Sequence, residues 1–277
     1  MKGLLFYDEV GRKRNEWFID RMISAARASG CELELVVTDN TDTTEVLDRI
    51  SGDTDLAIVR TIHPSLSRAL EERNIPTFNN ARVAKIANDK WQTYLYAKGL
   101  GVPVMHTKSI QKDGYDESSL SYPRVIKSVD GHGGSEVFLV KNAIECNTIL
   151  TLHGDKRFIE QELSSESGVD MRVYVLGSEV LAAVKRTSSS DFRSNFSLGG
   201  TAQLTSLGES EKQIVDLISR DLSSDLIGID FIRHNGGWVL NEIEDVVGTR
   251  MLYSLTDLDA AEIYVKHVIS RVKELNE

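Results

Sequence analysis

Cysteine is scarce in this chain. Cys31 and Cys146 are the only two, with no CxxC pair and no histidine at metal-ligand spacing. That excludes a disulfide scaffold and a Cys/His zinc site. It predicts two free thiols in a reducing compartment, and so a cytoplasmic protein. Long apolar runs are absent as well. The opening MKGLLFYDEV meets an acid at Asp8, so it reads as a buried first strand and not as a signal segment. No stretch nears the roughly 18 apolar residues that span a membrane. Basic residues are outnumbered, 32 Lys and Arg against 42 Asp and Glu, for a formal net charge of −10. Nucleic acid is therefore not an expected partner, because phosphates demand a basic footprint. Internal repeats and low-complexity tails are missing too.

What remains is ordinary globular material. The 277 residues are 41% hydrophobic and 27% charged, enough for a core that needs no staple. The first eighty residues alternate strand and helix signals. Strands are expected at 3–7, 32–38, 55–60 and in PTFN, with helices at 14–29, in TTEVLDRI and in SLSRALEERN between them. Such alternation predicts a parallel sheet with right-handed crossovers, whose ligands bind at the carboxyl ends of the strands. Asp8, Glu9 and Arg60 sit at such ends.

Beyond residue 80 the pattern changes. Residues 81–101 predict one helix carrying Lys90, ended at GLGVP. Strands follow at 123–128, 136–140 and 157–163, with a helix over 141–152. Residues 171–186 read as a hairpin about Gly177-Ser178, followed by the polar loop TSSSDFRSNFSLGG. A helix over 208–224, a strand LIGIDFIR, a turn, a strand WVLNEIE and a terminal helix from about 257 complete the chain.

The stretch DFIRHNGGWVLNEIEDVVG (230–248) carries the chemistry. A tight turn at Asn235-Gly236-Gly237 folds it into a hairpin. That brings Asp230 beside Glu242, and period two puts Glu244 on the same face. Carboxylates grouped this way need a cation to remain ionised together. Mg²⁺ fits, since it takes carboxylate and phosphate oxygens. A solvated acidic edge fits poorly beside Ile229, Phe231, Leu240 and Ile243. Phosphates in turn need cations and amide donors. PRVIKSVDGHGGSEVF offers Lys127 at a strand end and a loop of Gly131, Gly133 and Gly134. Alone, this loop reads as an ordinary turn, and it is neither a Walker A nor a GxGxxG motif. Lys90, Lys185 and Arg186 add positive charge.

Taken in order, these pieces resemble the ATP-grasp superfamily, and within it the ribosomal-protein-S6 glutamate ligase (RimK-like) branch. The resemblance spans about residues 80–250. It rests on ANDKWQTYLYAKGLGVPV, PRVIKSVDGHGGSEVFLV, RFIEQELSSESGVDMRVYVLGSEVLAAVKR, DFRSNFSLGG and GIDFIR…VLNEIEDVVG. It implies an α/β (α+β) ATP-grasp fold. A parallel pre-ATP-grasp domain would occupy 1–84, a central lid subdomain with its linker helix 85–163, and an antiparallel-sheet subdomain 164–277. It also implies a carboxylate–amine ligase that uses ATP with Mg²⁺, or Mn²⁺ in its place, and forms an acyl phosphate.

Carried onto matching positions, the resemblance implies that Lys90 and Lys127 contact the phosphates and that the loop Gly131, Gly133, Gly134 and Ser135 closes over them. The hinge Glu160, Gln161, Glu162 and Leu163 would hold adenine. Asp170 and Lys185 would also face the nucleotide; the partner of Asp170 in the Asp-x-Arg pattern is Arg172. Arg186, Arg193 and Asn195 would serve catalysis, and Asp230, Glu242 and Glu244 would hold the metal. Arg60, Arg193, Ser194 and Arg250 are candidates for a substrate carboxylate. That would suit glutamate or another amino acid, or a peptide, and the branch favours a homo-oligomer, a dimer or tetramer. Two departures stand out: Glu244 replaces the branch's usual Asn, and Asp245-Val246-Val247-Gly248 lacks its proline. A peptide-modifying ligase of a natural-product cluster and a non-catalytic ATP-binding regulator are the alternative classes.

Overall fold

In the computed structural model, residues 1–38, 43–48, 50–111, 121–134, 136–188, 200–275 and 277 are described. The amino-terminal strands are β1 (Lys2–Tyr7), β2 (Glu32–Val37), β3 (Leu56–Val59) and β4 (Thr77–Phe78). They form a parallel sheet in the order β2-β1-β3-β4. Both central strands are covered on both faces, which is why they read as unbroken apolar runs. One face, with Leu5 and Ile58, joins a core that includes Phe18, Met22, Tyr264 and Val268; the other, with Phe6, Ala57 and Val59, packs on Leu66 and Leu70. The crossovers are α1 (Glu9–Arg14), α2 (Glu16–Ala28), α3 (Thr43–Asp48) and α4 (Pro64–Glu72). The expected helix over 14–29 is α2. The short α1 before it was not foreseen; Asp8 caps it by accepting from the Gly11 amide at 2.6 Å.

The single helix expected over 81–101 is two, α5 (Ala81–Ala87) and α6 (Lys90–Gly99). Asn88 and Asp89 break it. The Asn88 side chain donates back to the Ala84 carbonyl at 2.8 Å. The Asp89 carboxylate accepts from the Gln92 amide at 2.8 Å and so starts a new helix. Lys90 thereby becomes the first residue of α6, held against the glycine loop by a bond from its amide to the Val129 carbonyl at 2.9 Å.

A second, antiparallel sheet has the order β5-β8-β6-β7, from β5 (Thr107–Ile110), β6 (Arg124–Ser128), β7 (Val137–Val140) and β8 (Phe158–Glu162), with α7 (Ala143–Leu152) against it. Only β5 was unforeseen, because TKSI carries no apolar signal. The third sheet, also antiparallel, is β11-β10-β9-β12-β13. It comprises β9 (Val169–Leu176), β10 (Glu179–Thr187), β11 (Thr201–Thr205), β12 (Leu226–His234) and β13 (Gly237–Glu244). Met171, Val173, Ile229 and Phe231 on one face pack on Ile214 and Ile218 of α8 (Glu209–Leu222). The opposite face carries Tyr174 and Val184 into the core shared with α2, α9 (Arg250–Leu255) and α10 (Ala260–Leu275). Among the described residues, no helix is long and apolar enough to cross a membrane.

The β12–β13 hairpin reaches its expected register by an unexpected route. Its turn has two residues, Asn235 and Gly236, both at positive φ (50° and 76°), the type I′ geometry that suits strand twist. Continued regularly from His234↔Gly237, that turn would pair Asp230 with Asn241. Instead the register shifts between Asp230 and Phe231, so that Phe231 pairs with Leu240 and Asp230 with Glu242. Asn241 is the extra residue of a β-bulge.

Candidate active site

The face of the third sheet that carries Tyr174 and Val184 turns polar toward one end. Alternation along β9, β10, β12 and β13 puts Asp170, Arg172, Arg186, Asp230, Glu242 and Glu244 there together. Carboxylate oxygens of Asp230, Glu242 and Glu244 lie within 4.8 Å of one another. The trio expected from the sequence is therefore assembled, with an oxygen donor set that suits a hard divalent cation.

Positive charge surrounds it. Arg172 donates twice to Asp230, Nε to Oδ1 at 2.8 Å and Nη2 to Oδ2 at 2.6 Å, and also donates to Glu244. Arg186 donates from Nε and Nη2 to Asp170 at 2.5 and 2.8 Å, and from Nη2 to Asp230 at 2.8 Å. Asp170 is thus engaged with Arg186. Lys90 Nζ stands 3.5 Å from Glu242 and also donates to the Gly131 carbonyl. These contacts divide the carboxylates. Burial would raise Asp230, but Arg172 and Arg186 hold it well below the usual carboxylate range. Burial likewise opposes the charge on Glu242, yet Lys90 and Lys127 keep it low. Glu244 goes the other way. Burial, with Asp230 and Glu242 beside it, pushes it up to about 7 against the pull of Arg172.

Beside Glu242 lies a cleft open to solvent on one side. Lys90, Lys127, Gly131, Gly133, Gly134 and Glu242 line one end of it. Val125, Val137, Leu163, Val169 and Ile232 add apolar wall, with Glu162 beside Leu163. The glycine loop can pass close because Gly133 and Gly134 adopt positive φ (67° and 78°). Burial and Lys90 bring the Lys127 ammonium down to about 8, with Glu242 pulling the other way.

Other expected site residues lie elsewhere. Glu160 is buried between Lys108 and Arg124, at 3.9 and 3.8 Å, and Gln161 donates to Thr107 Oγ1; neither lines the cleft. Only the Glu162-Leu163 end of the hinge does. Lys185 pairs with Met171 across the ladder and faces away from Arg186. Arg60 is 5% exposed, lies over the Phe18 ring and donates to the Val247 carbonyl at 2.7 Å, inside the core between the first and third sheets. Arg250 is exposed and donates to the Arg14 carbonyl. Ser135, Arg193, Ser194 and Asn195 fall outside the described residues. Asp245, next to the trio in sequence, is not part of it. Its carboxylate accepts from Asn79 and Asn88, and burial pushes it up to about 6. Sequence reasoning missed Asn241, which lines the cleft; a polar residue in a bulge carries no periodic signal. Ser164, Glu166, Ser167 and Gly168, just after the hinge, line it too.

A sequence profile of the RimK-like ATP-grasp domain matches residues 87–268. The chain belongs to the RimK-like ATP-grasp family. By membership its reaction class is carboxylate–amine ligation. A probable alpha-L-glutamate ligase of Pasteurella multocida is 30% identical over 215 residues, 75% of this chain and 69% of that protein. The ATP-grasp fold expected from the sequence is found in solved structures. A RimK domain ATP-grasp protein from Sphaerobacter thermophilus superposes with a TM-score of 0.74 at 18% identity, covering 97% of this chain and 100% of that one. D-alanine–D-alanine ligase from Bacillus anthracis, complexed with ATP, superposes with a TM-score of 0.74 at 15% identity, covering 99% and 96%.

Proposed function

We propose that the chain is an ADP-forming acid–amino-acid ligase. It would activate a carboxylate with ATP and couple it to an amine, with glutamate or another amino acid as one partner. The observation that carries this reading is the Asp230–Glu242–Glu244 trio, joined through Glu242 to a cleft that Lys90, Lys127 and the glycine loop also line. Its residues fit magnesium and a nucleotide: oxygen donors for the cation, ammonium groups and a glycine loop for phosphates, and apolar wall for a purine. When bound, Mg²⁺-ATP supplies the γ-phosphoryl group and charge compensation during its transfer.

The chain's own residues then position and neutralise. Asp230, Glu242 and Glu244 would hold the cation, while Lys90 and Lys127 draw the phosphates into line. Val125, Val137, Leu163 and Ile232 would sandwich the purine, and Glu166 and Ser167, on the same wall, would offer a carboxylate and a hydroxyl for the ribose. Arg186, fixed by Asp170, would meet charge developing on the transferred phosphoryl. Displacement of phosphate by the amine then needs no side-chain nucleophile; proximity and charge do the work. The similarity to a probable alpha-L-glutamate ligase supports glutamate as the first acid or amine to try.

Oxygen-18 transfer tests the pathway. With the acid partner labelled in its carboxylate, the label is expected in released phosphate, since an acyl phosphate keeps one acid oxygen on phosphorus. Label found in AMP, or staying wholly with the product, would overturn it.

A further inference from the structure

The bulge at Asn241 poses a question that the carboxylate trio does not answer. A hairpin one residue shorter would also pair Asp230 with Glu242, because regular pairing from His234↔Gly237 puts the residue after Leu240 opposite Asp230. The extra residue is therefore not needed to assemble the trio. What it adds is an unpaired position between Leu240, which faces the apolar core, and Glu242, which faces the cleft. The side chain at that position also lines the cleft. Asn241 Oδ1 accepts from Lys127 Nζ at 2.8 Å.

That bond joins two sheets. Lys127 belongs to β6 of the second sheet and Asn241 to β13 of the third, 114 residues apart in the chain. Lysine is a long, flexible side chain, and fixing it costs rotamer entropy. Here its ammonium sits in a half-buried cleft beside a second ammonium, Lys90, so its placement is opposed by like charge as well. An amide oxygen suits the task. It accepts one ammonium hydrogen without neutralising the charge, and leaves the other two donors for a phosphate.

We propose that Asn241 is a positioning residue: presented by the bulge, its amide oxygen holds the Lys127 ammonium at the phosphate end of the cleft. The inference rests on the ligase reading above and adds a residue to it. Asn241 itself does not meet the nucleotide's reacting atoms. It acts through Lys127, and the bulge exists to bring it there.

The test is a double-mutant cycle on nucleotide affinity, read by calorimetric titration of the full chain with Mg²⁺ and the non-hydrolysable analogue AMPPNP. Asn241→Leu keeps the branched outline and removes the acceptor; Asn241→Ala takes its place if the leucine variant does not melt cooperatively. In the wild-type background the substitution is expected to weaken binding about tenfold, the scale of a hydrogen bond to a charged group. In a Lys127→Met background it is expected to change affinity less than about twofold, since nothing is left to position. An unchanged Kd in the wild-type background, or an equal loss in both backgrounds, would overturn the positioning role and leave the ligase reading intact. A wild-type chain without affinity for AMPPNP would overturn both.

Discussion

Arg172 is the residue on which the charge balance of the site turns. It bonds both Asp230 and Glu244, and its side chain is only 11% exposed. Removing one partner of a buried ion pair leaves uncompensated charge, which costs about 3–5 kcal/mol. Arg172→Met is therefore expected to lose about that much in urea denaturation, and Mg²⁺ is expected to restore part of it by replacing the missing positive charge. Lys127 gives a pH signature. Burial and Lys90 bring its pKa to about 8, whereas an exposed lysine keeps its proton to about 10.4. Raising the pH from 7 to 9 neutralises Lys127 first, so nucleotide affinity is expected to fall across that window; Lys127→Met should flatten the profile. At this scale the acids were legible in the sequence and their partners were not. Asp230, Glu242 and Glu244 stand out as charges within apolar strands. That Asp170 binds Arg186, or that Lys185 faces away, follows from strand register, which composition does not carry.

Elements were legible where periodicity was strong and illegible where capping decided. The parallel strands β1 and β3 and the helix α8 announce themselves by apolar pattern. The division of residues 81–101 does not, because its apolar stripe continues across Asn88-Asp89. Local hydrogen bonds made the break. Asp89 caps α6 through the Gln92 amide and also accepts from Arg157 at 2.7 Å. Asp89→Ala is expected to cost about 1 kcal/mol, the usual loss for an N-cap, and to raise the KM for ATP, since the cap fixes the turn that carries Lys90. Thermal melting and steady-state kinetics check the two parts separately. The metal hairpin offers a similar lesson. Its register was foreseen from a three-residue turn, but the chain uses a two-residue turn and a bulge that reach the same pairing.

The whole molecule brings the second and third sheets to one cleft, and buried polar ties hold the first sheet to the third. Asn79, at the end of β4, donates to Leu226 O at 2.8 Å and Asp245 Oδ1 at 2.7 Å, and accepts from the Asp225 amide at 2.7 Å. Asn79→Ala would leave these groups buried and unpaired, at a cost of about 2–3 kcal/mol. The loss should be visible as a lower urea midpoint with an unchanged m-value. The order of motifs made this architecture readable in advance; the Asn79 tie was not, since it joins residues 147 and 166 positions apart. The most direct test of the central claim is ADP formation from Mg²⁺-ATP with single amino acids and with pairs, glutamate first, for the wild type beside Glu242→Ala. ADP and phosphate are predicted only when an acid and an amine are both present, with the rate at least about 100-fold lower in the variant. ADP formation indifferent to both partners, release of AMP in place of ADP, or full activity in Glu242→Ala would contradict it.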